Sequence, residues 1–270
     1  GFTYDDILQQ KNNRTIGYME VNEKSPEGYT HYFAVLLKTA EQGKSKAGEI
    51  EKAYGDSWVD SEGTMRAFIG DVRAENRIDY DTSLFVADIT ANVDITTSFS
   101  GNKNEYPLPP KGVVIRRLTH SSWAGGIVRG AFDGKRIAYL TKDKSGVIQI
   151  SVIATDGSDL SDDETKHPIQ LTNFKADASS LRWHLSNNFV LSIVNGNIAA
   201  TVAKTGDYFG KTVMLTNDNK LRDNLVVSPD GNILAYTIVT AENNKPKAFR
   251  QIFVLELNWD KIELGLRKYK

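Results

Sequence analysis

A four-part phrase recurs along the chain, and a recurring phrase restricts the fold more than any composition does. Each copy has a turn with Gly or Asn, a short apolar run, a second run ending in small or acidic residues, and a basic or polar run ending in Leu-Thr. The clearest copy is Phe132-Asp133-Gly134, RIAYLTK (136–142), GVIQISVIATDG (146–157) and HPIQLTNF (167–174). A second runs LRWHLSNN (181–188), FVLSIVN (189–195), NIAATVAKTG (197–206) and KTVMLTND (211–218). A third, with three runs, is LVVSPDGN (225–232), ILAYTIVTA (233–241) and FRQIFVLELN (249–258). An earlier copy is spread over VDSEGT (59–64), MRAFIGDV (65–72), DTSLFVADI (81–89) and GVVIRRLTH (112–120), and GFTYDDILQQ (1–10) with TIGYMEV (15–21) suggests a partial fifth.

Aligning Arg66-Ala67-Phe68, Ile137-Ala138-Tyr139, Val190-Leu191-Ser192 and Leu234-Ala235-Tyr236 gives a period of about 45 to 70 residues, the range of propeller blades with variable insertions. The turns have a mechanism. In Ser228-Pro229-Asp230-Gly231 the Pro presets φ and the Gly supplies positive φ between strands. Asp133-Gly134 and Glu62-Gly63 repeat the device, and Asn187-Asn188 uses the next residue type that tolerates the left-handed region. Runs such as VIQISVIA and FRQIFVLEL are apolar on successive positions, as strands covered on both faces are. The expected fold is all-β, a propeller of four-stranded blades, about four to five of them in this chain, with 1–270 as a single domain. One short helix is expected in an insertion at SKAGEIEKAYG (45–55), with Ser45 as cap and Gly55 as stop. SFSGNKNEYPLPPKG (98–112) reads as an exposed loop and DGSDLSDDETKHP (156–168) as an acidic connection.

Composition removes several classes of function. Lys and Arg total 33 against 34 Asp and Glu, a net charge of −1, so no overall field favours nucleic acid or an anionic membrane. The absence of cysteine excludes disulfides, thiolate nucleophiles and cysteine metal sites. No apolar run reaches the roughly 20 residues of a membrane span. The four histidines, His31, His120, His167 and His184, show no metal-binding spacing, no G-x-S-x-G is present, and Gly125-Gly126 lacks the strand-to-helix setting of a phosphate loop.

The phrase SPDGNILAYT with QIFVLELN resembles the TolB-like six-bladed propellers, and the resemblance sharpens at PLPPKGVVIRRLTH, DKSGVIQISVIATDGS, EIEKAYGDSW, MRAFIGDV and GFTYDD. Together these resemble a bacterial family of TolB-related propellers of unknown function, some labelled biofilm-associated, over almost the whole chain. The resemblance implies a periplasmic or cell-surface location. It also places the counterpart of GFTYDD in mid-protein, which implies about two blades ahead of this chain; 270 residues standing alone would be expected to oligomerise. Oligogalacturonate lyases, more distantly similar, hold a divalent metal with clustered histidines. That implies a metal site here at His31, in Thr30-His31-Tyr32-Phe33, where the alternative is a partly exposed strand residue. Family members carry an Arg-His-Trp run in a segment that is shortened here to LTHSSWAGGIVRGAFDG. Arg129 and Trp123 stand nearest its arginine and aromatic, and its histidine has no counterpart.

Arg129, Arg182 and Trp183 fall at or near the starts of inner strands, where guanidinium and indole groups suit a carboxylated or neutral sugar. Trp183 has a second reading, as an aromatic packed between adjacent sheets. His120 and His167 are expected at the surface, His184 beside a turn, and Asp71, Asp88 and Asp156 as turn anchors. Two functions follow: a module binding a protein or oligosaccharide partner, without a cofactor, or a metal-dependent lyase or hydrolase of uronate-containing oligosaccharides.

Overall fold

In a computed structural model, residues 35–90, 92–94, 104–105, 107–120, 123–240 and 249–269 are described. The partial repeat at 1–21 and His31 lie outside them. Four antiparallel sheets follow one another along the chain. The first contains β1 (Ile50–Trp58), β2 (Met65–Arg73), β3 (Tyr80–Asp88) and β4 (Val114–Arg117). The second contains β5 (Ala124–Gly130), β6 (Arg136–Lys142), β7 (Ile148–Ala154) and β8 (Ile169–Gln170). The third contains β9 (Ala178–Trp183), β10 (Phe189–Val194), β11 (Asn197–Val202) and β12 (Thr212–Met214). The fourth has three strands, β13 (Arg222–Val227), β14 (Ile233–Thr240) and β15 (Phe249–Glu256), and is followed by helix α1 (Trp259–Leu266).

Within each sheet the strands lie side by side in chain order, so every blade is an antiparallel meander. The inner strands pack in sequence, β1 on β5, β5 on β9 and β9 on β13, and no comparable packing joins β13 to β1 among the described residues. The cores lie between blades. Ile69, Leu84, Val128, Ile137 and Tyr139 fill the first junction, Leu140, Ile150, Leu181 and Val190 the second, and Leu191, Ile198, Leu234 and Ile238 the third. β10 and β11 are buried along their whole length, which explains their unbroken apolar sequence.

The helix expected at 45–55 is absent. Residues 50–58 form the inner strand of blade 1, with Ile50 facing Val72 and Trp58 facing Arg66. Glu, Lys and Ala favour a helix locally, but pairing with β2 outweighs a few tenths of a kcal/mol per residue. Ser45 caps nothing; its hydroxyl donates to Glu51, which also receives Arg73 Nη2 at 2.8 Å and the Tyr80 hydroxyl at 2.7 Å. Those donors hold the Glu51 carboxyl down at about 2. Gly55 is not a stop but a close approach. Its φ is +65°, and a Cβ there would sit 2.2 Å from the Gly126 carbonyl oxygen on the next inner strand. The chain's α-helix among the described residues is α1, capped by the Asn258 side chain and anchored by Ile262 and Leu266 against the third junction.

Candidate functional site

The inner strands β1, β5 and β9 end side by side, and the turns that follow them wall a cleft of about 510 Å³. β1 and its turn contribute Trp58, Val59 and Asp60, β5 contributes Arg129 and Phe132, and β9 contributes Arg182 and Trp183. Inner strands can converge this closely because Gly130 faces Val59 with no side chain; an added Cβ would meet the Val59 backbone at 2.3 Å.

Arg129 and Arg182 share one acceptor. Arg129 Nε donates to the Leu181 carbonyl at 3.3 Å and Arg182 Nη1 donates to the same oxygen at 2.6 Å. Arg129 Nη1 makes one further long bond, 3.5 Å, to the Val128 carbonyl. Neither makes an ion pair among the described residues, so most of their ten N–H donors stay available. The acids nearby are occupied elsewhere. Asp60 accepts from the Thr64 amide at 2.9 Å and from its hydroxyl, and Asp56 accepts from Arg66 Nε at 2.6 Å. Burial pulls both arginines below their ordinary range. For Arg182 the neighbouring Arg129 charge adds to burial and brings it to about 10, while Asp56 partly offsets the shift at Arg129. Two crowded cations with spare donors offer the chemistry that a carboxylate or phosphate accepts.

The aromatic walls differ. Trp183 is a wedge between blades 2 and 3, only 3% exposed, with its Nε1 donating to the Arg129 carbonyl at 2.9 Å and the Arg136 guanidinium 4.8 Å from its ring centroid. That bond fixes the strand segment carrying Arg129. Trp58 and Phe132, which sequence reasoning did not single out, are about half exposed and offer ring surface at the mouth. The Arg66 guanidinium lies 4.8 Å from the Trp58 ring.

Of the residues expected in one site, Arg129, Arg182 and Trp183 come together and Trp123 does not. Trp123 covers Gly125 and sits beneath the Lys142 ammonium at 4.8 Å, packed against the second junction. The cause is distance along the strand: Trp123 precedes the first residue of β5, Ala124, whereas Arg129 stands next to its last, Gly130, so the two lie at opposite ends of one strand. His31 lies outside the described residues, and among the described residues no three His, Cys, Asp or Glu side chains converge on a metal position. His120 pairs with Asp159 at 2.7 Å, and His167 Nε2 contacts the Ser161 carbonyl at 2.7 Å. His184 is buried at its turn. Asp71 accepts from the Tyr54 hydroxyl, Asp88 from Arg116 and Asp156 from Lys166, so side chains, more than turn backbone, hold these three.

Consecutive meander sheets joined along their inner strands, with a cleft at the strand ends, define a β-propeller fold. A TolB of Agrobacterium tumefaciens superposes with a TM-score of 0.50 at 11% identity, over 78% of this chain and 64% of that one. The β-propeller domain of the trilobed protease of Pyrococcus furiosus gives 0.45 at 14% identity, over 77% and 55%. In sequence the chain is 29% identical over 263 residues to YidR, an uncharacterised protein of Escherichia coli K12, covering 87% of this chain and 60% of YidR. The chain therefore spans less than two thirds of either relative's length. No family model matches it.

Proposed function

We propose that this propeller is a binding module that takes an anionic group of a protein or oligosaccharide partner into the Arg129–Arg182 cleft. The observation carrying this reading is that two half-buried guanidiniums share one carbonyl and pair with no acid among the described residues. A carboxylate there would accept bidentate bonds from one or both arginines, and Trp58 and Phe132 supply flat apolar surface for the rest of the ligand. A periplasmic or cell-surface location belongs to the same reading. Calorimetric titration with an oligogalacturonate and an acidic peptide, beside their neutral counterparts, tests it. Anionic ligands are expected to bind, and Arg129→Met with Arg182→Met to abolish binding; equal affinity for neutral ligands, or an unaffected double variant, would overturn it.

The lowered Arg182, at about 10, favours a second reading, in which the cleft acts on uronate-containing oligosaccharides. A guanidinium held at about 10 gives up its proton more readily than an ordinary one, although it remains charged at neutral pH and can neutralise developing negative charge. A divalent metal would supply charge neutralisation at the uronate carboxylate, with His31 among its ligands. Unsaturated uronate formed with added divalent metal and lost on His31→Ala would support this reading, and no product under those conditions would overturn it.

A further inference from the structure

In each complete blade one residue of the third strand is clamped from outside by a Leu-Thr pair. The amides of Leu118, Leu171 and Leu215 donate to the carbonyls of Leu84, Ile150 and Ile198 at 2.8, 2.7 and 2.8 Å. The amides of Leu84, Ile150 and Ile198 in turn donate to the hydroxyls of Thr119, Thr172 and Thr216, each at 2.9 Å. The recurring Leu-Thr of the sequence is thus a fastener for the fourth strand.

Register identifies the matching position in blade 4. Leu84 faces Ile69, Ile150 faces Leu140 and Ile198 faces Ile193. Each of those partners follows the residue that aligns with Tyr236, so the counterpart faces Thr237, and it is Ile252. Hydrogen-bond parity agrees. The Leu257 amide donates to the Asn232 carbonyl at 2.7 Å. Ladder bonds to β14 therefore fall on odd-numbered residues of β15, and the main-chain groups of Ile252 point to the opposite edge. No strand pairs with that edge among the described residues, and Ile252 is 72% exposed.

Blade 1 also adds charge to its clamp. Arg116, two residues before Leu118, donates to Asp88, four residues beyond Leu84, at 2.5 and 3.0 Å. The residue four beyond Ile252 is Glu256, which is exposed and makes no ion pair among the described residues.

We infer that the open edge of β15 is a docking site for an extended segment of a partner protein with the pattern Arg/Lys-x-Leu-Thr. Its Leu amide donates to the Ile252 carbonyl, its Thr hydroxyl accepts from the Ile252 amide, and its cation pairs with Glu256. This is β-augmentation, with the main chain giving affinity and the clamp giving register. It goes beyond the cleft and uses none of its residues.

A labelled peptide VVIRRLTH, the sequence of residues 113–120, serves as probe with the 270-residue chain. Expected are saturable one-to-one binding by fluorescence anisotropy and slowed exchange of the Ile252 amide. Replacing the peptide Thr by Val should weaken binding about fivefold, the usual worth of one hydrogen bond. Ile252→Pro removes the outward N–H and spares the β14 ladder, as edge positions allow, and should weaken binding at least as much. Glu256→Arg should weaken it too, and a peptide with Glu at the Arg position before x-Leu-Thr should restore it. Absence of saturable binding, or binding indifferent to both protein variants, overturns the proposal. A dimer dissolved by Ile252→Pro without peptide uptake also overturns it, by giving the edge to a second copy.

Discussion

Blades 1 to 3 and blade 4 are written in the same sequence phrase but live in different surroundings. Leu84, Ile150 and Ile198 are fully buried, whereas Ile252, in the same register, is 72% exposed, and Val254 beside it is 64% exposed. In the first three blades this face packs on the next blade and the third strand is fastened by Leu-Thr; in blade 4 neither partner is present among the described residues. A blade's stability is thus mostly a property of its junctions, as in other repeat folds. An uncovered apolar face with a free edge is also the surface most prone to association.

Matched truncations should show the largest contrast. Leu84→Ala is expected to lower unfolding free energy in urea by about 2–5 kcal/mol, the usual loss for a buried Leu, while Ile252→Ala should stay within about 0.5 kcal/mol. Equal losses would mean that blade 4 is covered in solution. The fastener itself comes next. Thr172→Val leaves the buried Ile150 amide without the acceptor it has at 2.9 Å and removes one of the two donors to Gln149 Oε1, which keeps the Phe174 amide, and should cost about 1–3 kcal/mol.

The junction of blades 3 and 4 should respond to pH. His184 lies 4.1 Å from Trp259 between ring centroids and contacts the Gly231 carbonyl through Nε2 at 3.1 Å. Burial, more than the opposing Gly231 carbonyl, keeps it below its ordinary value of 6.5. The unfolded chain therefore binds the proton first, so stability is complete above 6.5 and falls as pH drops through 6.5 towards the lower folded value. Hydrogen exchange should show blade 4 and α1 loosening before blades 1 and 2; uniform loosening would remove the distinction between the regions. The smallest effect is expected in the cleft. Arg129→Met with Arg182→Met breaks no ion pair and should change stability by no more than about 0.5 kcal/mol, even as anion binding is lost.

Much of the architecture was readable because each blade is a local object. Ser228-Pro229-Asp230-Gly231, Asp133-Gly134 and Asn187-Asn188 mark hairpins through backbone preference, and unbroken apolar runs such as VIQISVIA mark strands covered on both sides. Residues 50–55, part of the helix expected at 45–55, are strand because the pairing that makes them one lies in β2, beyond the reach of local propensity. α1 was overlooked although Asn258 is a standard cap with Asp260 in the first turn.

The cleft was half legible. Arg129, Arg182 and Trp183 could be assigned to inner strands from the repeat alone, although they stand at the ends of β5 and β9 and not at the expected starts, and Trp58 and Phe132 join them only when three blades stand side by side. Trp123 leaves them because it stands at the opposite end of β5 from Arg129 and packs into the second junction. The sequence by itself determined the repeat of the blades, their turns and the recurrence of Leu-Thr, since these are local patterns, while the bonds by which Leu-Thr fastens the third strand span up to 35 residues and belong to the folded blade. Only the tertiary structure decided which two cations would crowd one carbonyl and which edge would stay open, because both depend on how neighbouring sheets meet.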